Sequence, residues 1–467
     1  MRRIALLSLL GGTAGIAGCT QTDAVDGANI IAVLPYTGEF ASGKAEHHLN
    51  SLTMALERLL DGGAQEAMGG VPFNVIPVNS GNGPEFVQGA VEGIIDDLDA
   101  TGRRPVLGIM SSTGKAHQGS AKAAIELGIP HFEVSSGAHD DEFLYCSEFT
   151  DPTSCIDYSD DEKRFLFSTR ALCGPEAEVT ADFIAEAYPD AKVALVRGNK
   201  THDRVHTNII RERLENDPNF TGTVLVSGDA ANDQDFMLDY ASDDFQDAIA
   251  ALVTEQAPDV IFWHLRGDSI NEQFVKDLRL YNNGAGWDGD SVTCGMSRKS
   301  SFIDNDTNGG ISNYLAGLND NGTPRQGSFH FVMRAPLDSP ARDAFKADYA
   351  LKFEKDSDTF SASAYDAGLQ LGLGIIAAGP DGTLREIRES IIDISRDGDQ
   401  VGYSTPPREL VDKVVSGADI DLDGVSGPLD WRPSRIVIGS YYVEKVVAVG
   451  DGTFVYEELP SPPRVNR

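Results

Sequence analysis

The chain has 467 residues, 41% of them hydrophobic, and a formal net charge of −34 at pH 7. That length exceeds what one hydrophobic core ordinarily serves, so two domains are expected. The charge opposes binding to nucleic acid or to anionic lipid headgroups, and its even spread marks a solvated surface and not an acidic tail.

The first residues carry a basic pair, Arg2 and Arg3, an apolar run from Ile4 to Leu10, and then small residues. This is the pattern of a secretory signal, too short for a stable membrane span. Its end, Ile16-Ala17-Gly18-Cys19, resembles the bacterial lipobox. The resemblance implies removal of residues 1–18 and lipidation of Cys19, leaving residues 19–27 as a linker. Each buried CH₂ of the acyl chains adds about 0.8 kcal/mol of membrane attachment. The expected location is therefore outside the cytoplasm, lipid-anchored to the cell envelope and facing the periplasm or the cell exterior.

Beyond the linker, strand and helix patterns alternate. Apolar runs typical of buried parallel strands occur at Ile30–Leu34, Phe73–Val78, Val106–Met110, His131–Val134, Val193–Val196 and Val260–Trp263. Helical periodicity fills the gaps, as at Glu85–Ala100, Asp182–Tyr188 and Phe245–Ala257. The fold class is α/β. A polar stretch, Ala138–Arg164, interrupts the rhythm before it restarts at Phe165, and a second break precedes Phe329–Pro336. The proline-rich end, residues 460–467, is expected to be disordered.

Arg104 to Gly137 build one kind of polar lip twice. One strand runs into Ser111-Ser112-Thr113, a helix follows, and a second strand runs into Ser135-Ser136-Gly137. In a parallel sheet, ligands bind outside the carboxyl ends of the strands, where both clusters fall. A single cluster would be explained by helix capping; two, one crossover apart, point to half of a small-ligand site.

Setting Cys19 aside leaves Cys146, Cys155, Cys173 and Cys294, an even set that an oxidising compartment would pair. Three connectivities are open to four cysteines. The close pair Cys146 and Cys155 brackets a polar insertion that gains from a staple, which favours Cys146 with Cys155 and, by elimination, Cys173 with Cys294.

The ordered set of segments resembles the type I periplasmic binding proteins, specifically the leucine/isoleucine/valine-binding receptors of ABC importers. Ile30–Leu59 is similar to that family's opening strand, Thr-Gly loop and first helix. Arg104–Gly137 resembles its two ligand loops, Val193–Leu214 its second-lobe strand and helix, Ser361–Gly379 its Tyr-Asp-Ala helix, and Asp423–Trp431 its closing segment. The resemblance implies two Rossmann-like lobes joined by a three-stranded hinge and closing on a ligand. It divides the chain into lobe 1 at 28–168, lobe 2 at 169–328, a return to lobe 1 at 329–427 and to lobe 2 at 428–459. It assigns Ser111, with Ser112 beside it, to the ligand carboxylate, Ser135, Ser136 and Gly137 to both ends of an amino-acid moiety, and His202 to a closing contact from lobe 2. The family's ammonium-pairing carboxylate is replaced by Ser297, beside Arg298 and Lys299, and Arg266 lies near a position often aromatic. Both departures point to a ligand richer in carboxylate than a branched-chain amino acid. The implied partners are that small molecule, an ABC permease and, through the lipid, a membrane, with no cofactor, no metal and no nucleic acid.

Sharper chemistry is weakly supported. Asp419, Asp421, Asp423, Gly424 and Asp430 have calcium-loop spacing but lack its closing Glu and read as an acidic turn. The two histidines of His202–His206 lack the Glu and third ligand of a zinc site and read as a solvated helix start, as His47-His48 read as the exposed side of the first helix. No G-x-S-x-G elbow, phosphate loop or dinucleotide glycine signature is present, so the chain is not expected to be an enzyme. The alternatives are a ligand-sensing domain of a signalling system and, behind it, a hydrolase.

Overall fold

A computed structural model of the chain describes residues 27–37, 43–135 except 83 and 113, 165–225 except 171–172 and 198–200, and, between 250 and 465, the segments 250, 252–265, 273–279, 287–294, 314, 327–334, 339–431 except 359, 437, 440–450, 453–459 and 464–465. Cys19, Ser136, Gly137, Cys146, Cys155, Arg266 and Ser297 lie outside these residues.

The first lobe is built on five parallel strands: β1 (Ala28–Leu34), β2 (Phe73–Asn79), β3 (Val106–Ser111), β4 (His131–Glu133) and β5 (Leu166–Ser168). Their order is β2-β1-β3-β4-β5. Every β1 residue is buried, because helices cover both faces and the strand's continuous apolar run has no solvent side. On one face pack α1 (Lys44–Asp61), the short α2 (Ala64–Ala67) and helices from much later in the chain: α7 (Pro340–Phe353), α8 (Ser361–Ala378), α9 (Leu384–Asp393) and α10 (Pro407–Val415). On the other lie α3 (Pro84–Ala100) and α4 (Gly114–Leu127). The α1–α8 contact is close because α8 presents glycines to it: a Cβ on Gly372 would stand 2.4 Å from Leu59 Cδ1.

The second sheet has eight strands in the order β14-β13-β10-β9-β8-β6-β7, with β15 beside β13. Its parallel part comprises β6 (Lys192–Arg197), β7 (Thr223–Leu225), β8 (Val260–His264), β9 (Asp290–Cys294) and β10 (Phe329–Arg334). β13 (Ser440–Gly450) runs antiparallel to β10, and β14 (Thr453–Glu458) antiparallel to β13, a hairpin at the edge. α5 (Cys173–Ala187) and α6 (Thr201–Asn216) pack on this sheet around Phe183, Ile184, Ile210 and Leu214. A small two-stranded ladder pairs β11 (Asp399–Val401) with β12 (Ile420–Leu422).

The chain passes between the sheets after β5, after β10 and before β13. The third passage touches the first: Val437 N donates to Ser168 O at 3.2 Å. Two boundaries shift from the expectation. β10 belongs to the second sheet, so the return to the first lobe begins after residue 334 and not at 329; the apolar strand fits either sheet, and only its register with Ser291–Cys294 decides. Trp431 stacks edge-on against Phe132 and Phe167 of the first lobe, so the final return begins after it and not at 428. Within the segment 460–467, expected to be disordered, Arg464–Val465 pair as β15 with Ser440 and Tyr441, because an antiparallel edge offers unpaired backbone groups to an extended segment; 460–463 and 466–467 lie outside the described residues.

Candidate ligand-binding site

Each sheet reverses its strand order at one point, and an open α/β sheet has its crevice there. In the first lobe the reversal lies between β1 and β3; in the second it lies between β6 and β8. The carboxyl ends of β3 and β4 carry Ser111 and Glu133, with Ser112 and Ser135 just beyond them. In the second lobe, α6 begins after β6 with His202 in its first turn, and Arg197 pairs in register with His264. Ser111 and Ser112 thus stand at the end of β3, beside the first reversal, Ser135 one strand away after β4, and His202 follows β6, beside the second.

At the first of these ends Ser111 has a buried acid for a neighbour. Glu133 is fully buried, and its Oε2 accepts from Ser111 Oγ at 2.9 Å while Oε1 accepts from Ser135 N at 2.8 Å. A hydroxyl has one proton to give, and that of Ser111 is given to Glu133. Ser112 is also fully buried, and its Oγ has no hydrogen-bond partner among the described residues, a state that costs about 1–3 kcal/mol unless water or a ligand supplies one.

Cationic groups gather at the neighbouring strand end. Arg170, two residues past β5, donates from Nη1 to Ser135 O at 2.8 Å, and its guanidinium lies 4.6 Å from the ring centre of Phe360. The Lys44 ammonium lies 5.4 Å from the same ring. Ser168 Oγ fixes the turn by donating to Arg170 O at 2.9 Å, and Thr169 Oγ1 donates to Ser363 O at 2.8 Å, tying the turn to α8. Phe360 caps α8, so this cluster joins α1, β5 and α8, which are distant in sequence.

Asp358 and His48 stand behind Phe360. Burial pushes the Asp358 carboxyl up, and the His48 imidazole at 3.7 Å with the Ser361 hydroxyl outweighs it, holding the group below the ordinary carboxylate range. His48 is fully buried, not exposed as its place in an amphipathic helix suggested, because α7 and α8 cover that side of α1. His206 is buried too, correcting the solvated helix start: its ring stacks at 4.4 Å on His264 and at 5.8 Å on Phe262. The acidic stretch Asp419–Asp430 holds β12 and a turn, with Asp421 raised by burial and then by Asp430, Asp423 and Asp397. Cys173 begins α5 and Cys294 ends β9; the backbone is described at both.

Sequence reasoning passed over Glu133, Arg170, Phe360 and Lys44. For Glu133 a signal existed: one acid within the apolar strand Ile129–Val134 must either break the strand's burial or find partners. Nothing local marks Arg170 or Phe360, since their meeting depends on α8 returning to the first sheet.

Two α/β lobes, each built on a largely parallel sheet and joined by three passages of the chain, make the fold of the type I periplasmic binding proteins. Solved structures similar over nearly the whole chain agree. An ABC transporter substrate-binding protein from Sphaerobacter thermophilus superposes with a TM-score of 0.62 at 15% identity, covering 93% of this chain and 97% of its own. A putative branched-chain amino acid ABC transporter protein from Rhodospirillum rubrum gives 0.59 at 15% identity, covering 92% of this chain and 100% of its own. A solute-binding protein from R. palustris in complex with 4-hydroxybenzoate gives 0.59 at 14% identity, covering 93% and 96%. No family model and no curated protein sequence matches the chain. Among the described residues no helix is long and apolar enough to cross a membrane.

Proposed function

We propose that the protein is the extracytoplasmic solute-binding receptor of an ABC importer, closing its lobes on an amino acid or related small carboxylate without transforming it. The observation that carries this reading is the full-length likeness: solute-binding proteins of ABC transporters cover 92–93% of this chain with 96–100% of their own. The polar groups at the two reversal points are the second support, because a ligand held there touches both lobes and favours the closed state by its differential affinity. Solved relatives in fold are in complex with isoleucine and with benzoate, which sets the range of ligands to try. In this reading Ser111, Ser112, Ser135, Ser136 and Gly137 contact the ligand from the first lobe, and His202, Arg266 and Ser297 from the second. The lipid on Cys19 holds the receptor to the membrane beside its permease, and Cys146 with Cys155 and Cys173 with Cys294 are disulfide-bonded.

Thermal denaturation of the purified protein across amino acids, their amides, dicarboxylates and aromatic carboxylates tests the reading. A true ligand at 100 times its Kd stabilises the native state by about 2.7 kcal/mol, and calorimetry should then give one site per chain with no product formed. A screen in which none of these compounds shifts the transition, or in which one is consumed, overturns it. Acylation of Cys19 is read by intact mass in the membrane fraction, with Cys19→Ser released to the soluble phase.

A further inference from the structure

We propose that His330 is an acid-sensitive latch of the second lobe: as the uncharged imidazole it holds the end of α5 against β10, and as the imidazolium it loosens that join. The proposal goes beyond the receptor reading and does not need it. His330 and Val332 share one face of β10, the face on which α5 packs through Phe183 and Ile184. Tyr188, the residue after α5, places its Oη 3.1 Å from His330 Nδ1. The Phe183 ring centre lies 5.5 Å from that of His330 and 6.1 Å from that of Tyr188. His330 is 9% exposed, so little water is at hand to replace these contacts. Burial, and after it the Asp290 carboxylate, pushes the Tyr188 phenol well above its ordinary range, so the phenol keeps its proton and donates to an unprotonated Nδ1.

The surroundings oppose the imidazolium. His330 pairs in register with Lys445 of β13 and with Val292 of β9, which sets the Lys445 side chain on the same face as the ring. The charged groups on the elements around it are Lys445 on β13, Asp290 on β9, Glu186 on α5 and, opposite Lys445, Glu457 on β14. Burial first, and Lys445 second, push the imidazole down to about 4 against an ordinary 6.5. On protonation Nδ1 changes from acceptor to donor, so the phenol must turn its own proton away, and the new charge meets the Lys445 ammonium. A histidine held low binds its proton less tightly folded than unfolded. Its contribution to stability is therefore full above pH 6.5 and is lost as pH falls toward about 4. That interval corresponds to a factor of up to about 300 in the ratio of native to unfolded protein. The latch lies in the second lobe alone, so acid loosens β10, β13 and α5 while the sheet of the first lobe keeps its own contacts.

The test uses the full-length, ligand-free protein. The His330 ring signal, identified by its loss in His330→Gln, is followed by NMR as the pH is lowered, and stability is measured by chemical denaturation at the same pH values. His330 should titrate near 4. The wild-type ratio of native to unfolded protein should fall in acid by at least about tenfold more than that of His330→Gln. Lys445→Gln, which removes the repelling charge, should reduce the acid loss. Hydrogen exchange, corrected for its intrinsic pH dependence, should quicken in β10 and β13 and not in β1 and β3. Should His330→Gln not fold, backbone-linked assignment of His330, Lys445→Gln and the exchange pattern decide. A ring that titrates at its ordinary 6.5, an acid loss that His330→Gln shares in full, or exchange that quickens equally in both lobes overturns the proposal. Each of these results leaves the receptor reading to the ligand screen.

Discussion

Asp366 and Glu133 are both fully buried carboxylates of the first lobe, and the molecule treats them in opposite ways. Asp366, in the middle of α8, accepts from Val425 N at 2.9 Å, Ser426 N at 2.8 Å and Ser426 Oγ at 2.5 Å, and a Cβ on Gly424 would stand 2.4 Å from its Oδ2. Every bond it makes here goes to one loop, the Asp423–Gly427 turn, and Ser426 Oγ, whose one proton goes to Asp366, lies 3.3 Å from Thr169 O on the first passage between the lobes. Asp366 therefore locks the helix to the hinge. Glu133 bonds instead to Ser111 Oγ at the end of β3, beside the sheet's reversal, and to Ser135 N just past β4. Burial of an acid tells nothing about its role until its partners are known.

The largest expected break is Asp366→Ala. It leaves two backbone N–H groups and a hydroxyl without their acceptor beside a cavity, and it should lower stability by about 3–5 kcal/mol in chemical denaturation. A loss below 1 kcal/mol would put Asp366 on the same footing as a surface acid.

Next comes pH. Burial pushes Asp366 up to about 6 against an ordinary 3.8, the loop's hydrogen bonds opposing it only in part. A raised acid binds its proton more tightly folded than unfolded, so its contribution is greatest below about pH 4 and is lost as pH rises through 6, by roughly 3 kcal/mol. The difference in stability between wild type and Asp366→Asn should follow that curve. Asp358 works in the other direction: its depressed carboxyl stabilises above the ordinary range and loses that effect only in strong acid.

Ser111→Ala is expected to cost less, about 1–2 kcal/mol, because Glu133 keeps the Ser135 N–H. Glu133→Gln should be the smallest, within about 1 kcal/mol, since an amide keeps the side chain's size and one acceptor. If Glu133→Gln proves as damaging as Asp366→Ala, the two acids are alike after all.

The amino-acid order alone marked the α/β class, the strands from Ile30 to Trp263 and the polar ends after Val106–Met110 and His131–Val134, because period, apolar runs and strand-end chemistry are local properties. It also placed His202 in the first turn of a helix after β6. It could not show that β10 joins the second sheet, that His48 and His206 are covered, or that Arg170 meets a phenylalanine far along the chain. Those outcomes depend on which helix returns to which sheet. Periodicity says that a face must be buried but not against what, and the charge a ligand meets is set by neighbours that only packing brings together.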